Sequence, residues 1–164
     1  MRHFLAVLIG AILLVGVAHG AMDTVHANDE EFWQDHSLVY ALVAAVTNAG
    51  QGEYRVTILP VATLTGKFDC GLSRDVVLTM IVGEASAIPA PPEAGSKTLM
   101  LIRQKNMATA EGTQREYRVP SSLMSFMPEK SACVKVSGIG DKVVSEVAES
   151  LRRSRIKPDP KPNK

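Results

Sequence analysis

Histidine and carboxylate side chains, which most often hold metal ions or move protons, are concentrated near the amino end of the chain. His26 and His36 lie close in sequence to Asp23, Glu31 and Asp35. The histidines are ten residues apart, which does not place them on one helical face, and no other histidine or cysteine completes a set of ligands. We expect solvated surface residues here, and we predict neither a metal site nor a bound cofactor.

Sequence motifs of the common hydrolases and nucleotide-binding proteins are absent. The chain contains no Gly-x-Ser-x-Gly elbow, no His-Glu-x-x-His pair and no Walker loop. Gly138-Ile139-Gly140 is too short for a dinucleotide-binding fingerprint and indicates a turn. The sequence therefore favours a protein without catalytic activity. A small hydrolase stays open as a third hypothesis, because catalytic groups need only meet in space.

A proline-rich loop is the clearest candidate for binding a partner. The segment Gly83–Gly95 carries Ile88 beside Pro89, Pro91 and Pro92, and prolines favour extended geometry. A rigid exposed loop of this kind could present Ile88 and the three prolines to another protein, as a protease inhibitor does. The plainer interpretation, which we favour, is a long connection between strands that the prolines stiffen.

The first residues have the three parts of a secretory signal peptide. Arg2 provides a positive start, Phe4–Val17 is an apolar run, and small residues follow up to Gly20 and Ala21. The run is shorter than the roughly 20 residues that span a bilayer. We predict that residues 1–20 are removed before Ala21, that the mature chain has no transmembrane segment, and that it is secreted or periplasmic.

The two cysteines, Cys70 and Cys133, both lie in the predicted mature chain. An even number of cysteines in an exported protein predicts one disulfide. It would close a loop of about 63 residues, for which chain entropy gives roughly 4 kcal/mol of stabilisation. A reactive thiol or half of a metal site are the rival interpretations.

Charge limits the partners that the mature chain could bind. Without Arg2 the chain has 17 basic and 17 acidic residues, whereas nucleic-acid binding usually needs a strong basic field. The carboxyl end is basic and the rest of the mature chain is acidic. We therefore predict no nucleic acid as a partner, and instead an extracytoplasmic protein or a component of the cell envelope.

Apolar periodicity predicts about six strands. They cover residues 38–47, 54–62, 75–82, 97–102, 115–119 and 133–136. Residues 75–82 are apolar on both faces, which is typical of a covered central strand, and Pro60 predicts an edge or a bend. Residues 105–114 are small and polar and predict a flexible loop, whereas 120–128 predicts one helical turn over the core.

One amphipathic helix follows the strands. Asp141 is a candidate N-cap, and an apolar face recurs at helical spacing through Val143, Val144, Val147, Ala148 and Leu151. Trp33, the only tryptophan, is expected to plug one end of the fold and not to serve as an exposed ligand platform. The predicted class is mostly β with one C-terminal helix, as a small barrel or sandwich. In element order it is similar to OB-like barrels; no signature residues accompany that order, so no site is carried over.

The predicted organisation is one domain between two charged segments. We expect a signal peptide over residues 1–20, an acidic lead-in over 21–37, a single globular domain over 38–155 and a disordered basic tail over 156–164. The leading functional hypothesis is an exported, non-catalytic module that binds or scaffolds. The alternative is a protease inhibitor that uses the loop 83–95.

Overall fold

The structure is a computed structural model that describes residues 23–68, 74–83, 86–137 and 141–155. The predicted signal peptide and basic tail lie outside the described residues, and so does Cys70. Within the described part, no helix is both long enough and apolar enough to cross a membrane.

Eight strands and one α-helix make up the regular structure of the described residues. The strands are β1 (Thr24–Val25), β2 (His36–Gly50), β3 (Glu53–Thr65), β4 (Val76–Ile81), β5 (Lys97–Thr109), β6 (Gly112–Val119), β7 (Leu123–Met124) and β8 (Cys133–Val136). The helix is α1 (Lys142–Arg155), and short 3-10 turns cover Phe32–Gln34 and Pro128–Lys130. The predicted class, mostly β with a C-terminal helix, is confirmed.

Six strands form one sheet in the order β2-β3-β4-β6-β5-β8, and β2 also pairs with β5. Five of the strands are therefore paired in a closed ring, in which β2 pairs with β3, β3 with β4, β4 with β6, β6 with β5, and β5 again with β2. All pairings in this sheet are antiparallel except that of β4 with β6, which is parallel. That parallel ladder contains only two residue pairs, Thr79 with Arg118 and Met80 with Val119.

The β2–β3 hairpin follows the predicted alternation. Val56 and Ile58 are buried while Arg55 is exposed, because successive residues of a strand point to opposite faces. The ladder between β3 and β4 ends at Ile58, so Pro60 lies where β3 pairs with β2 alone among the described strands. The predicted edge position of Pro60 is confirmed, since a proline has no N–H to donate.

The β5–β6 hairpin is longer than expected. The sequence predicts a flexible loop at 105–114, which is wrong: the two strands stay paired from Lys105 opposite Glu116 to Thr109 opposite Gly112. This part of the hairpin extends beyond the core, and its side chains are exposed and mostly polar on both faces. Apolar alternation, the signal that identifies a half-buried strand, is therefore missing.

The segment 120–128 also differs from the sequence prediction. Instead of a helical turn it forms β7, in which Leu123 and Met124 pair in parallel with Thr24 and Val25 of β1. Met124 is nonetheless fully buried. The apolar residues thus cover the core as expected, but the backbone finds its hydrogen bonds in a short ladder.

One hydrophobic core includes residues from before the first long strand. Val25 and Trp33 belong to the same buried cluster as Leu38 and Leu99. The Trp33 ring contacts Phe126, and its indole N–H donates to the Ala27 carbonyl at 3.2 Å. The expectation that Trp33 is buried is confirmed, and the acidic lead-in packs into the core.

The helix α1 begins at the predicted cap, but the prediction that Ala148 belongs to its buried face is wrong. The Asp141 carboxylate accepts the Val143 N–H at 2.7 Å, which satisfies one of the free donors of the first helical turn. This hydrogen bond lowers the pKa of Asp141. Val147 and Leu151 are buried against the core, whereas Ala148 faces solvent.

Candidate functional site

β4 exposes large apolar side chains on the outer face of the sheet. Leu78 and Met80 are fully buried, whereas Val77 and Ile81 on the opposite face are 55% and 51% exposed. The sequence predicts a strand covered on both faces, which is wrong, because the outer face is open at both positions. Exposed apolar side chains become informative when several lie close together.

A cleft of about 270 Å³ lies between β4 and the β5–β6 hairpin. Its lining comprises Val77 and Thr79 from β4, and Met107, Gln114, Arg115, Glu116 and Tyr117 from the hairpin. It opens where β4 and β6 part, since these strands pair only beside Thr79 and Met80. Its volume is at the low end for sites that enclose a small molecule. The cleft therefore suits part of a longer, extended ligand.

The lining combines apolar, aromatic and charged groups. Met107 is 42% exposed and stands opposite Gln114 across the hairpin. Tyr117 is half-buried and packs its ring edge-on against Phe68, with centroids 5.5 Å apart. Because Phe68 belongs to the core, this contact fixes one side of Tyr117.

A row of arginines crosses the outer face beside the cleft. Arg55 of β3 stands opposite Thr79, which in turn stands opposite Arg118 of β6. Arg118 stands opposite Arg103 of β5. Opposite residues of a ladder share a face, and like charges in this arrangement repel. Among the described residues Arg55 makes no ion pair.

Two carboxylates reduce this repulsion. Glu116 lies 2.7 Å from Arg118, and Asp35 lies 3.0 Å from Arg103. These pairs are partly exposed, so each contributes little to stability. Arg115, whose side chain is also exposed, makes no ion pair within the described residues. It is the cation of the cleft that a ligand can use.

The histidines do not form the cluster that the sequence allows. His26 is exposed, whereas His36 is buried and stacks on Phe32 with ring centroids 3.8 Å apart. His36 Nδ1 lies 2.5 Å from an Asp35 carboxylate oxygen. Burial lowers the pKa of His36 and outweighs the opposing effect of Asp35. Within the described ranges, no group of three or more histidine, cysteine or carboxylate side chains could hold a metal ion.

The proline-rich loop does not expose its apolar residue. Ile88 is fully buried, whereas Pro89 is exposed and Pro91 and Pro92 are half-buried. The Ile88 N–H donates to Ser86 Oγ at 3.2 Å within the loop, and Ser86 Oγ donates to the Ile81 carbonyl of β4 at 2.8 Å. In this conformation Ile88 is thus an anchor for the loop itself. Partner binding by the three prolines stays a prediction.

Cys133 forms no disulfide with another described residue, and burial raises the pKa of its thiol to about 12. Its predicted disulfide partner, Cys70, lies outside the described residues, so the disulfide stays a prediction. We expect the protein recovered from an oxidising compartment and then denatured to react with a thiol-alkylating reagent only after reduction, because such a compartment favours the bond. Intact mass measures this directly. Two alkylated cysteines without a reductant would contradict the disulfide.

Neither a protein-family model nor a curated protein sequence matches this chain. The candidate site therefore depends on the geometry alone. Sequence reasoning missed the cleft, since it placed Arg115 and Tyr117 on a strand but Met107 in a loop. The sequence contained one signal of the cleft, namely a strand with large apolar residues on both faces, with Val77 and Ile81 on one of them. Such a strand either is covered by another part of the protein or binds a ligand.

Proposed function

We propose that this protein is an exported, non-catalytic binding module whose ligand lies in the cleft between β4 and the β5–β6 hairpin. The observation that carries the proposal is the exposure of Val77 and Met107 at one cleft, together with an unpaired cation, Arg115. The cleft lining contains no histidine or cysteine. The Glu116 carboxylate is paired with Arg118 at 2.7 Å. Among the described residues no hydrogen bond joins it to the Thr79 or Tyr117 hydroxyl, so the lining supports binding and not nucleophilic catalysis.

We infer that the ring of pairings among β2, β3, β4, β6 and β5 closes as an OB-like barrel. In OB folds, ligands bind on the face of the second and third strands, between the loop joining strands one and two and the loop joining strands four and five. When the five strands of the ring are numbered in chain order from β2, the second and third strands are β3 and β4. The loop that joins the fourth and fifth strands is then the tip of the β5–β6 hairpin. This correspondence supports the cleft as the binding surface.

The proposed ligand is an extracytoplasmic protein or a component of the cell envelope. This rests on the signal peptide predicted over residues 1–20 and on the near-zero charge of the mature chain. The outer face also offers no exposed aromatic side chain among the described residues, whereas proteins that bind single-stranded nucleic acid stack bases on such side chains.

The proposal predicts where ligands perturb the protein. Amide spectra of the purified protein would be recorded during titration with pooled linear peptides, soluble cell-wall glycan fragments and small vesicles of anionic lipid. We expect at least one probe to shift the amides around Val77, Met107 and Arg115. Val77→Asp should weaken that binding about 10-fold or more, equivalent to roughly 1.4 kcal/mol, because it places a charge on the apolar wall.

Val61→Asp is the matched control, because Val61 is 50% exposed on β3 but does not line the cleft. It should leave binding unchanged. The proposal fails if no probe shifts the cleft amides, or if the two variants weaken binding equally.

A protease inhibitor that uses the loop 83–95 is the second candidate. The burial of Ile88 and the hydrogen bond from Ser86 Oγ to the Ile81 carbonyl favour it, since a preorganised loop loses little entropy on binding. With Ile88 buried, the adjacent Pro89 and Ala90 are exposed apolar residues that the loop can offer to a protease. Absence of inhibition by the intact protein, across serine, cysteine and metalloproteases at high concentration, would exclude this candidate.

A further inference from the structure

The two strands that border the cleft turn unpaired edges toward it. β6 pairs with β5 from Gly112 to Arg118, but with β4 only at its end, beside Arg118 and Val119. β4 pairs with β3 from Val76 to Ile81, and its side facing β6 is paired only beside Thr79 and Met80. On the N-terminal side of these paired residues, β4 and β6 each have an open edge among the described residues.

The register shows which backbone groups of β6 lie on its open edge. Thr109 and Gly112 close a two-residue loop, so they are a hydrogen-bonded pair, and the pairing continues without a shift. Every second residue from Gly112 therefore directs its N–H and C=O toward β5. The residues between them, Thr113, Arg115 and Tyr117, direct theirs toward the cleft.

The same alternation applies to β4. Thr79 pairs with β6, and Val77, two residues earlier, directs its N–H and C=O to the same side. Within the described residues, the backbone groups of Val77 and Arg115 make no hydrogen bond across the cleft. The cleft thus presents free donors and acceptors on both walls.

We propose that the cleft binds an extended peptide segment of another protein, which adds as a further strand to the open edge of β6. This inference rests on the proposed function and names the ligand class of the same site. A peptide backbone repeats one donor and one acceptor on each side at the spacing of a strand. Main-chain hydrogen bonds of this kind provide affinity, and alternate side chains provide selectivity.

The lining indicates which peptide side chains fit. Met107 shares the outer face of the hairpin with Gln114 and Glu116, while Arg115 and Tyr117 lie on the other face. A peptide strand places alternate residues on these two faces. Apolar residues suit the face that carries Met107, and acidic residues suit the face that carries Arg115. The preferred sequence therefore alternates apolar and acidic residues.

The edge of β3 beside Pro60 is blocked. Among the described strands, β4 ends its pairing with β3 at Ile58, and the alternation directs the nitrogen of Pro60 to that side. Proline has no N–H, which prevents a further strand from pairing at that position. The open stretch of β6, residues 112–117, contains no proline. The chain thus protects one edge and leaves the edge at the cleft available.

Selection of random linear octapeptides displayed against the purified full-length protein tests the inference. We expect the selected peptides to alternate apolar and acidic residues and to shift the amides of Arg115 and Tyr117. N-methylation of every second amide in one register should weaken binding at least 10-fold, because those amides face β6. Methylation in the other register is the matched control and should weaken binding less, because those amides face the shorter open edge of β4 beside Val77.

Charge exchange is the second measurement. Arg115→Glu should weaken binding of a selected peptide at least 10-fold, and replacing the peptide's acidic residues with lysine should restore it. Lys105→Glu, on the same hairpin but outside the cleft lining, should change binding little. Equal effects of the two methylation registers would overturn strand addition.

The outcome also separates this inference from the proposed function. If glycan fragments or vesicles shift the cleft amides and no peptide does, the peptide inference fails while the binding module stands. If no probe shifts them, both fail.

Discussion

Gly66→Ala is expected to lower the free energy of unfolding by about 4 kcal/mol. Gly66 has φ +94°, and a Cβ there would overlap Ser37 Oγ and the His36 carbonyl oxygen and lie 2.6 Å from Ser37 Cα. A strained backbone of this kind costs about 1–3 kcal/mol, and overpacking costs a similar amount. Ser37 Oγ also accepts the Phe68 N–H at 3.0 Å, so a shift of Ser37 would weaken a buried hydrogen bond.

Gly50→Ala is the matched control for that change. Gly50 has nearly the same conformation, with φ +96°, but a Cβ there would meet nothing within 4 Å. It should cost only the backbone strain, about 1–2 kcal/mol. Urea denaturation of the two variants measures both values. If the losses are equal, the close approach of Gly66 to β2 does not exist in solution.

Val147→Asp is expected to cost about 3 kcal/mol or more and to unfold a marginal domain. Val147 is 2% exposed and belongs to the hydrophobic core. A carboxylate at this position would be buried without a partner, and an uncompensated buried charge typically costs about 3–5 kcal/mol. Thermal unfolding followed by circular dichroism would show the loss as a lower midpoint.

Ala148→Asp separates burial from helix propensity. Ala148 is the next residue of α1 and is exposed, so the same aspartate there should cost less than about 1 kcal/mol. If both variants melt at the temperature of the wild-type protein, α1 does not pack on the sheet.

How well the sequence predicts an element depends on how much of that element is buried in the core. β3 was identified because Val56 and Ile58 alternate with Arg55, and α1 because Val147 and Leu151 recur at helical spacing. These elements have one buried and one solvated face, which is the condition under which periodicity reports structure. The end of the β5–β6 hairpin has no buried face, and it was missed.

The candidate site was hidden from the sequence for the same reason. Val77 and Ile81 have the residue type of covered positions, and only the packing of the strands decides whether anything covers them. Met107 and Arg115 lie eight positions apart in the chain, on opposite strands of a hairpin. Their arrangement around one cleft depends on where β4 and β6 part.

The sequence by itself determined the strand class, the helix and its Asp141 cap, and the burial of Trp33. These features depend on local alternation, capping chemistry and apolar area, which are properties of neighbouring residues. Only the tertiary structure decided that Ile88 points into the core and that β4 is open on its outer face. Those outcomes depend on contacts between residues distant in the chain, and a pattern in one segment does not specify what packs against it.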